Sequence, residues 1–183
     1  MRSTLALFAT LTLTLAAGAF PGPGRAQSGT VPSTLAGTWV QDDAASAMRT
    51  VDAAFAPRIA SLPELLQGMA RDRIRNDMQP PRRVLVSLTG SRVRVTLESN
   101  RTRVVDGAIG AAAQVTGVSS GTRVTPRLQG GWLELLYEGE GSQLHQLYST
   151  EPDGSRLHVD FTVESSYLST PVRYRLDYVR AAR

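Results

Sequence analysis

The stretch VRYRLDYVR, residues 172–180, decides the reading of the chain: Val172, Tyr174, Leu176 and Tyr178 fall on one parity, while Arg173, Arg175 and Asp177 fall on the other. A strand turns successive side chains to opposite faces, so this segment offers one face to a core and one to water. The same rhythm recurs in Leu157, Val159, Phe161 and Val163, in Val93, Val95 and Leu97, and in Val84, Val86 and Leu88. Turn residues divide these runs at Gly90-Ser91, Ser99-Asn100, Gly130-Gly131, Glu138 to Gly141 and Asp153-Gly154. The spacing predicts a mainly β fold of about eight to ten antiparallel strands, arranged as a barrel or strongly curved sheet, with a sandwich as the alternative. The segment from Gly107 to Ala113, rich in glycine and alanine, reads as a loop.

A different period precedes the strands. After a short first strand at Gly37-Thr38-Trp39-Val40, Asp42 or Asp43 can cap a helix, and Met48, Val51, Phe55, Ile59, Leu62, Leu66 and Met69 follow at steps of three and four. This predicts a helical insertion over about 43–78, between the first and second strands. Pro57 and Pro63 interrupt it, and Ser61 to Glu64 has the form of a capping box, which implies two helices or one kinked near Pro57. The stripe arrives next at Arg73. A continuing helix aims that guanidinium at the sheet, as an anion clamp at a barrel mouth or in an ion pair with Glu98 or Asp106, unless the buried face of the helix has simply ended before it. With Arg71, Arg75, Arg82 and Arg83 it makes residues 71–83 a basic segment, either a solvated face or a contact for an anionic lipid or envelope polymer. Pro80-Pro81 returns the chain to extended structure.

Arg2, the apolar run from Leu5 to Phe20 and the small residues Gly24 and Ala26 have the order of a secretory leader, so residues 1–26 are expected to be a signal peptide. Residues 27–34 then form a linker and residues 35–183 a single β domain, exported to the periplasm or beyond. The chain contains no cysteine, so packing and not disulfides must hold it, and thiolate metal sites are excluded. Every basic residue is arginine. The formal charge of +4 falls to +2 when Arg2 and Arg25 leave with the leader, too little to argue for a nucleic acid partner.

The chemical motifs are weak. Gly117-Val118-Ser119-Ser120-Gly121 matches a nucleophile elbow, but an extended segment follows it where that motif needs a helix, so it reads as a polar hairpin. His145 and His158, the only histidines, fall on the outward parity and read as surface groups; Glu138 and Glu140 sit in a turn as exposed charge. Asn100-Arg101-Thr102 matches a glycosylation sequon. No catalytic residue, metal site or cofactor is assigned.

Gly37-x-Trp39 on the first strand, in an exported chain of this length that ends in an antiparallel meander, resembles the lipocalin-like, or calycin, proteins. The resemblance implies an up-and-down barrel with a cup for a small apolar molecule. It also implies that Trp39 packs at the closed end under an arginine of a late strand, Arg173 or Arg175. Two features depart from that family's pattern: the helices precede the second strand, and its Thr-Asp-Tyr turn is missing. Parity then gives the lining of a cup as Tyr148, Phe161, Tyr174 and Tyr178, with Leu144 and Val159. With Trp39 and Arg73 these are the candidate ligand-binding residues. The function expected is that of a monomeric exported binder of a small apolar or amphipathic molecule in the cell envelope. The alternative is an envelope interaction module that holds a lipid or protein through its helical insertion, with a filled interior.

Overall fold

The computed structural model describes residues 31–129, 131–166 and 168–182, so the expected leader and most of the linker lie outside the described residues. The strands are β1 (Gly37–Gln41), β2 (Arg83–Thr89), β3 (Arg92–Glu98), β4 (Thr102–Ala108), β5 (Gln114–Thr116), β6 (Arg123–Gln129), β7 (Trp132–Gly139), β8 (Ser142–Thr150), β9 (Arg156–Ser165) and β10 (Val172–Arg180). All ten form one antiparallel sheet in the order β5-β4-β3-β2-β1-β10-β9-β8-β7-β6. Its two edges, β5 and β6, curl towards each other. Gly110 N–H donates to Pro126 O at 2.7 Å and Ala113 N–H to Val124 O at 2.8 Å, which nearly closes a barrel and rules out the sandwich. The Gly107–Ala113 segment therefore differs from expectation: it begins as the end of β4 and continues as a turn that carries the seam. Pro126 has no N–H to offer, which suits it to an edge strand.

The two-residue rhythm holds around the ring. Val84, Val86, Val93, Val95, Leu97, Val105, Val124, Leu133, Leu135, Leu157, Val159 and Leu176 are buried in one core cluster inside the barrel. The floor is built on Trp39, whose indole N–H donates to Leu35 O at 3.0 Å. Arg180 lies over the ring, its guanidinium carbon 4.2 Å from the centroid, and donates to Gly154 O, Ala36 O and Thr34 O at 3.0, 3.1 and 2.7 Å. A Cβ on Gly37 would stand 2.6 Å from that guanidinium, so Gly-x-Trp is the sequence that lets the arginine reach the ring. The late-strand partner is thus Arg180, not Arg173 or Arg175. The parity that turns Tyr174, Leu176 and Tyr178 inward turns those two outward, where Arg175 makes two hydrogen bonds to Asp160 at 2.7 and 2.8 Å.

Two helices cover the other end. Asp43 caps α1 (Ala44–Ala60) by accepting from Ala45 N and Ser46 N, and these bonds hold its carboxyl below the usual range. Val51, Phe55 and Ile59 of α1 pack on Val163 and Val172 at the top of β9 and β10. Pro57 sits inside α1, and the break comes later, at Ser61-Leu62-Pro63. Ser61 closes α1, its hydroxyl donating to Arg58 O at 2.8 Å, and does not cap α2 (Glu64–Asp77). Because α2 starts afresh after Pro63, the apolar stripe of α1 is not continued in phase. Ala70, Ile74 and Met78 face the helix-end cluster, while Leu65, Leu66 and Met69 are left exposed.

Replacing Arg180 with alanine should lower the free energy of unfolding by about 2–4 kcal/mol, from one cation–π contact and three bonds to carbonyls. Lysine at the same place should recover only part of it, because an ammonium has no fork. Urea melts on the three proteins check this; equal midpoints would show that the floor does not depend on Arg180.

The barrel interior as candidate functional site

Among the described residues, four tyrosines point into the barrel: Tyr137 from β7, Tyr148 from β8, and Tyr174 and Tyr178 from β10. Tyr148 O–H donates to Gln146 Oε1 at 2.7 Å, both side chains being buried. The hydroxyls of Tyr137 and Tyr178 and the amide nitrogen of Gln41 are buried among the described residues with no hydrogen-bond partner. Tyr174 stacks on Phe161, centroids 4.7 Å apart and planes 7° apart, and Phe55 of α1 meets it at 6.2 Å. The helix end is thus sealed by aromatic contact between the lid and the strands.

One cation joins this set. Arg103 stands opposite Leu97, and Val105 opposite Val95, so Arg103 shares the inward face at the start of β4. It is half-buried, and among the described residues it has no carboxylate or hydrogen-bond partner. Its field reaches all four tyrosines. Burial pushes the Tyr137 hydroxyl up to about 12, with Arg103 pulling the other way. Burial likewise holds Tyr148, Tyr174 and Tyr178 above the ordinary phenol value; Tyr137 and Tyr178 raise Tyr148 further, Tyr174 does the same to Tyr178, and Arg103 again opposes.

Of the residues expected to line a cup, Tyr148, Phe161, Tyr174 and Tyr178 face the interior together, and Trp39 forms its floor. Arg73 does not join them. It is 84% exposed and pairs with Asp77 at 3.2 Å, not with Glu98 or Asp106, because the fresh start of α2 turns it to solvent. Arg103, Tyr137, Gln146 and Gln41 were not legible as site residues. Val104 and Val105 are adjacent, so the parity of β4 is ambiguous in sequence, although Leu133-x-Leu135-x-Tyr137 did carry the signal for Tyr137. His145 and His158 lie on the outer face as expected, each held by a carboxylate: Glu134 at 2.7 Å and Asp177 at 2.6 Å. Ser119 lies in the β5–β6 turn. Gly117 in that turn has φ +74° and a missing Cβ that would stand 2.2 Å from Thr102 O, which explains the glycine without a nucleophile.

Two clefts lie outside this interior. One of about 570 Å³ runs along the rim between the β7–β8 turn and the Ser165–Pro171 loop, and one of about 260 Å³ sits on the outer face over Glu134, His145 and Thr162. Neither is bordered by the interior tyrosines.

The nearly closed antiparallel barrel of ten strands has a lipocalin-like, or calycin, fold, with its two helices after the first strand. Solved structures similar to it include the fluorescent protein UnaG, 16% identical over 80% of this chain and 96% of that one, TM-score 0.52. A secretary abundant heat soluble protein from Ramazzottius varieornatus is 14% identical over 81% and 96%, TM-score 0.53. A mutant of the REP1-NXSQ fatty acid transporter is 14% identical over 80% and 98%, TM-score 0.50. At such identity the likeness is one of fold. No protein-family model matches the chain, and no curated protein matches its sequence.

The tyrosines set an alkaline limit on stability. The folded chain holds these protons past the pH, near 10, at which the unfolded chain releases them. Stability is therefore full below about pH 10 and falls above it by about 1.4 kcal/mol per pH unit for each such tyrosine. A tyrosinate absorbance titration beside circular dichroism should show the interior hydroxyls ionising only as the fold is lost. Their complete ionisation near pH 10 in folded protein would contradict the burial.

Proposed function

We propose that the chain is an exported carrier that binds a small amphipathic molecule in its barrel, the guest's apolar body on the aromatic walls and its anionic head on Arg103. The observation that carries this is the unpartnered Arg103 on the inward face, beside buried hydroxyls of Tyr137 and Tyr178 that have no protein partner. Buried donors left open in a native fold call for a bound group, and an unpaired guanidinium selects an anion, a carboxylate fitting its fork. The fold supports the same reading, since a similar structure is described as a fatty acid transporter. The floor end is closed by Trp39, Leu157 and Tyr178, all fully buried. A guest enters where Leu144, Tyr174, Val115 and Val118 are only partly buried, by shifting them and the Phe55 contact above. The apolar run and small residues of positions 1–26 support export.

Calorimetric titration with a medium-chain fatty acid and with the alcohol of the same length tests the assignment. Arg103→Gln should weaken the acid by about ten-fold or more, the loss of one charged hydrogen-bond partner, and leave the alcohol within about two-fold. Equal effects on both ligands would remove Arg103 from the head-group site, and no binding of either by the parent chain would end the proposal.

A further inference from the structure

Two of the three buried groups that lack a hydrogen-bond partner among the described residues share one register position. Gln41 on β1 stands opposite Tyr178 on β10, next along the same two strands from the pair Trp39 and Arg180. Residues directly opposite in an antiparallel pair turn their side chains to one face, so the Gln41 amide lies on the inward face with Tyr178. Tyr178 is fully buried, and its neighbour on the other side, Leu157 of β9, offers it only carbon. The amide nitrogen of Gln41 is out of solvent although the residue as a whole is half-buried.

The third open group lies elsewhere. Tyr137 on β7 belongs to the row Tyr137, Leu144, Val163 and Val172, which meets β10 at position 172 and not at 178. That offset is roughly 20 Å of strand. A head group that sits on Arg103 and meets Tyr137 therefore leaves Gln41 and Tyr178 to another part of the guest. Both present hydrogens: an amide nitrogen only donates, and burial holds the Tyr178 proton on well above the ordinary phenol value, so the group is an O–H at neutral pH. Buried donors left unmatched are costly, and these two face the same space.

From this placement we infer that Gln41 and Tyr178 form a second polar subsite, which receives an uncharged oxygen carried along the chain of the guest, so that the class of ligand is a hydroxy or oxo fatty acid and not a plain one. The inference rests on the carrier reading above and narrows it. The oxygen is neutral because of what surrounds it. The row holds Gln41, Tyr178, Leu157 and Thr150 and no cation, and Arg180 next to it is committed to Trp39 and three carbonyls. A second carboxylate there would be a buried charge without a partner, whereas a hydroxyl or ketone needs only the donors already present. An apolar chain in the same place matches neither group, and a site built to bond an oxygen discriminates most sharply against the analogue that lacks it.

Calorimetric titration compares a medium-chain fatty acid with its monohydroxy isomers, the hydroxyl moved carbon by carbon along the chain. One isomer should bind about ten-fold or more tighter than the parent acid. Tyr178→Phe should abolish that preference by weakening the hydroxy acid alone, and Gln41→Leu should reduce it; neither should weaken the parent acid, which uses neither donor. Without a guest, Tyr178→Phe should leave the urea midpoint unchanged or raised, because it removes a buried hydroxyl that has no partner. A fall in that midpoint would reveal a protein partner for the hydroxyl and overturn the inference. Equal affinity for the acid and every isomer would overturn it too, since water then serves these donors. Either result leaves the Arg103 assignment standing, whereas absence of binding by acid and isomers alike ends the carrier reading and this subsite together.

Discussion

A ten-stranded sheet becomes a ring only if its two edge strands meet, and here that closure depends on the hydrogen bonds from Gly110 and Ala113 to the carbonyls of β6. Neither edge is a strong template: β5 has three residues, and Pro126 cannot donate. The seam nonetheless fixes the rest, because an inward face is inward only around a closed centre. Were it open, Val115 and Val124 would flank a gap and the hydroxyl of Tyr137 would have water. Burial of the tyrosines, and the field of Arg103 upon them, both follow from that ring.

The floor shows how a short motif and a distant residue make one object. Gly37 gives up its side chain so that Arg180, at the far end of the sequence, can cover Trp39, and the guanidinium then satisfies three carbonyls that would otherwise end unpaired in the turns around it. This joins the first strand, the last strand and the β8–β9 turn. Donors are nonetheless left open close by, at the Gln41 amide and the Tyr178 hydroxyl next along the same two strands, and nearer the other end at the Tyr137 hydroxyl.

Much of this was legible in sequence, and the failures share one cause. Alternation in β2, β3, β9 and β10 fixed which residues lie inside, since a period of two survives any curvature of the sheet. Phase across a break did not survive: once Ser61 to Pro63 ends one helix, nothing local says how the next is rotated, so Arg73 faces solvent as an ended buried face allows and not the sheet as a continuing stripe would have it. The arginine over Trp39 was sought at Arg173 or Arg175 although their own strand's parity forbids it, and Arg180 was the residue with the parity to reach the ring. Arg103 was hidden because Val104 and Val105 are equally apolar, and only pairing with Leu97 and Val95 decides which faces in.

The distribution of burial divides the molecule into a firmly held end and a loosely held one. The floor holds Trp39, Leu157 and Tyr178 out of water altogether, whereas α2 has no fully buried residue and rests on α1 by three partly buried side chains. Local opening follows the fewest buried contacts, so the first part of the molecule to move is α2, and the next is the Phe55 contact with Tyr174. Neither movement disturbs the seam or the Arg180 clamp. Arg103 lies at that same end, where a charged group is least costly because water is near until something displaces it. The end that opens most readily is thus also the end with an unpaired charge and an exposed apolar helix.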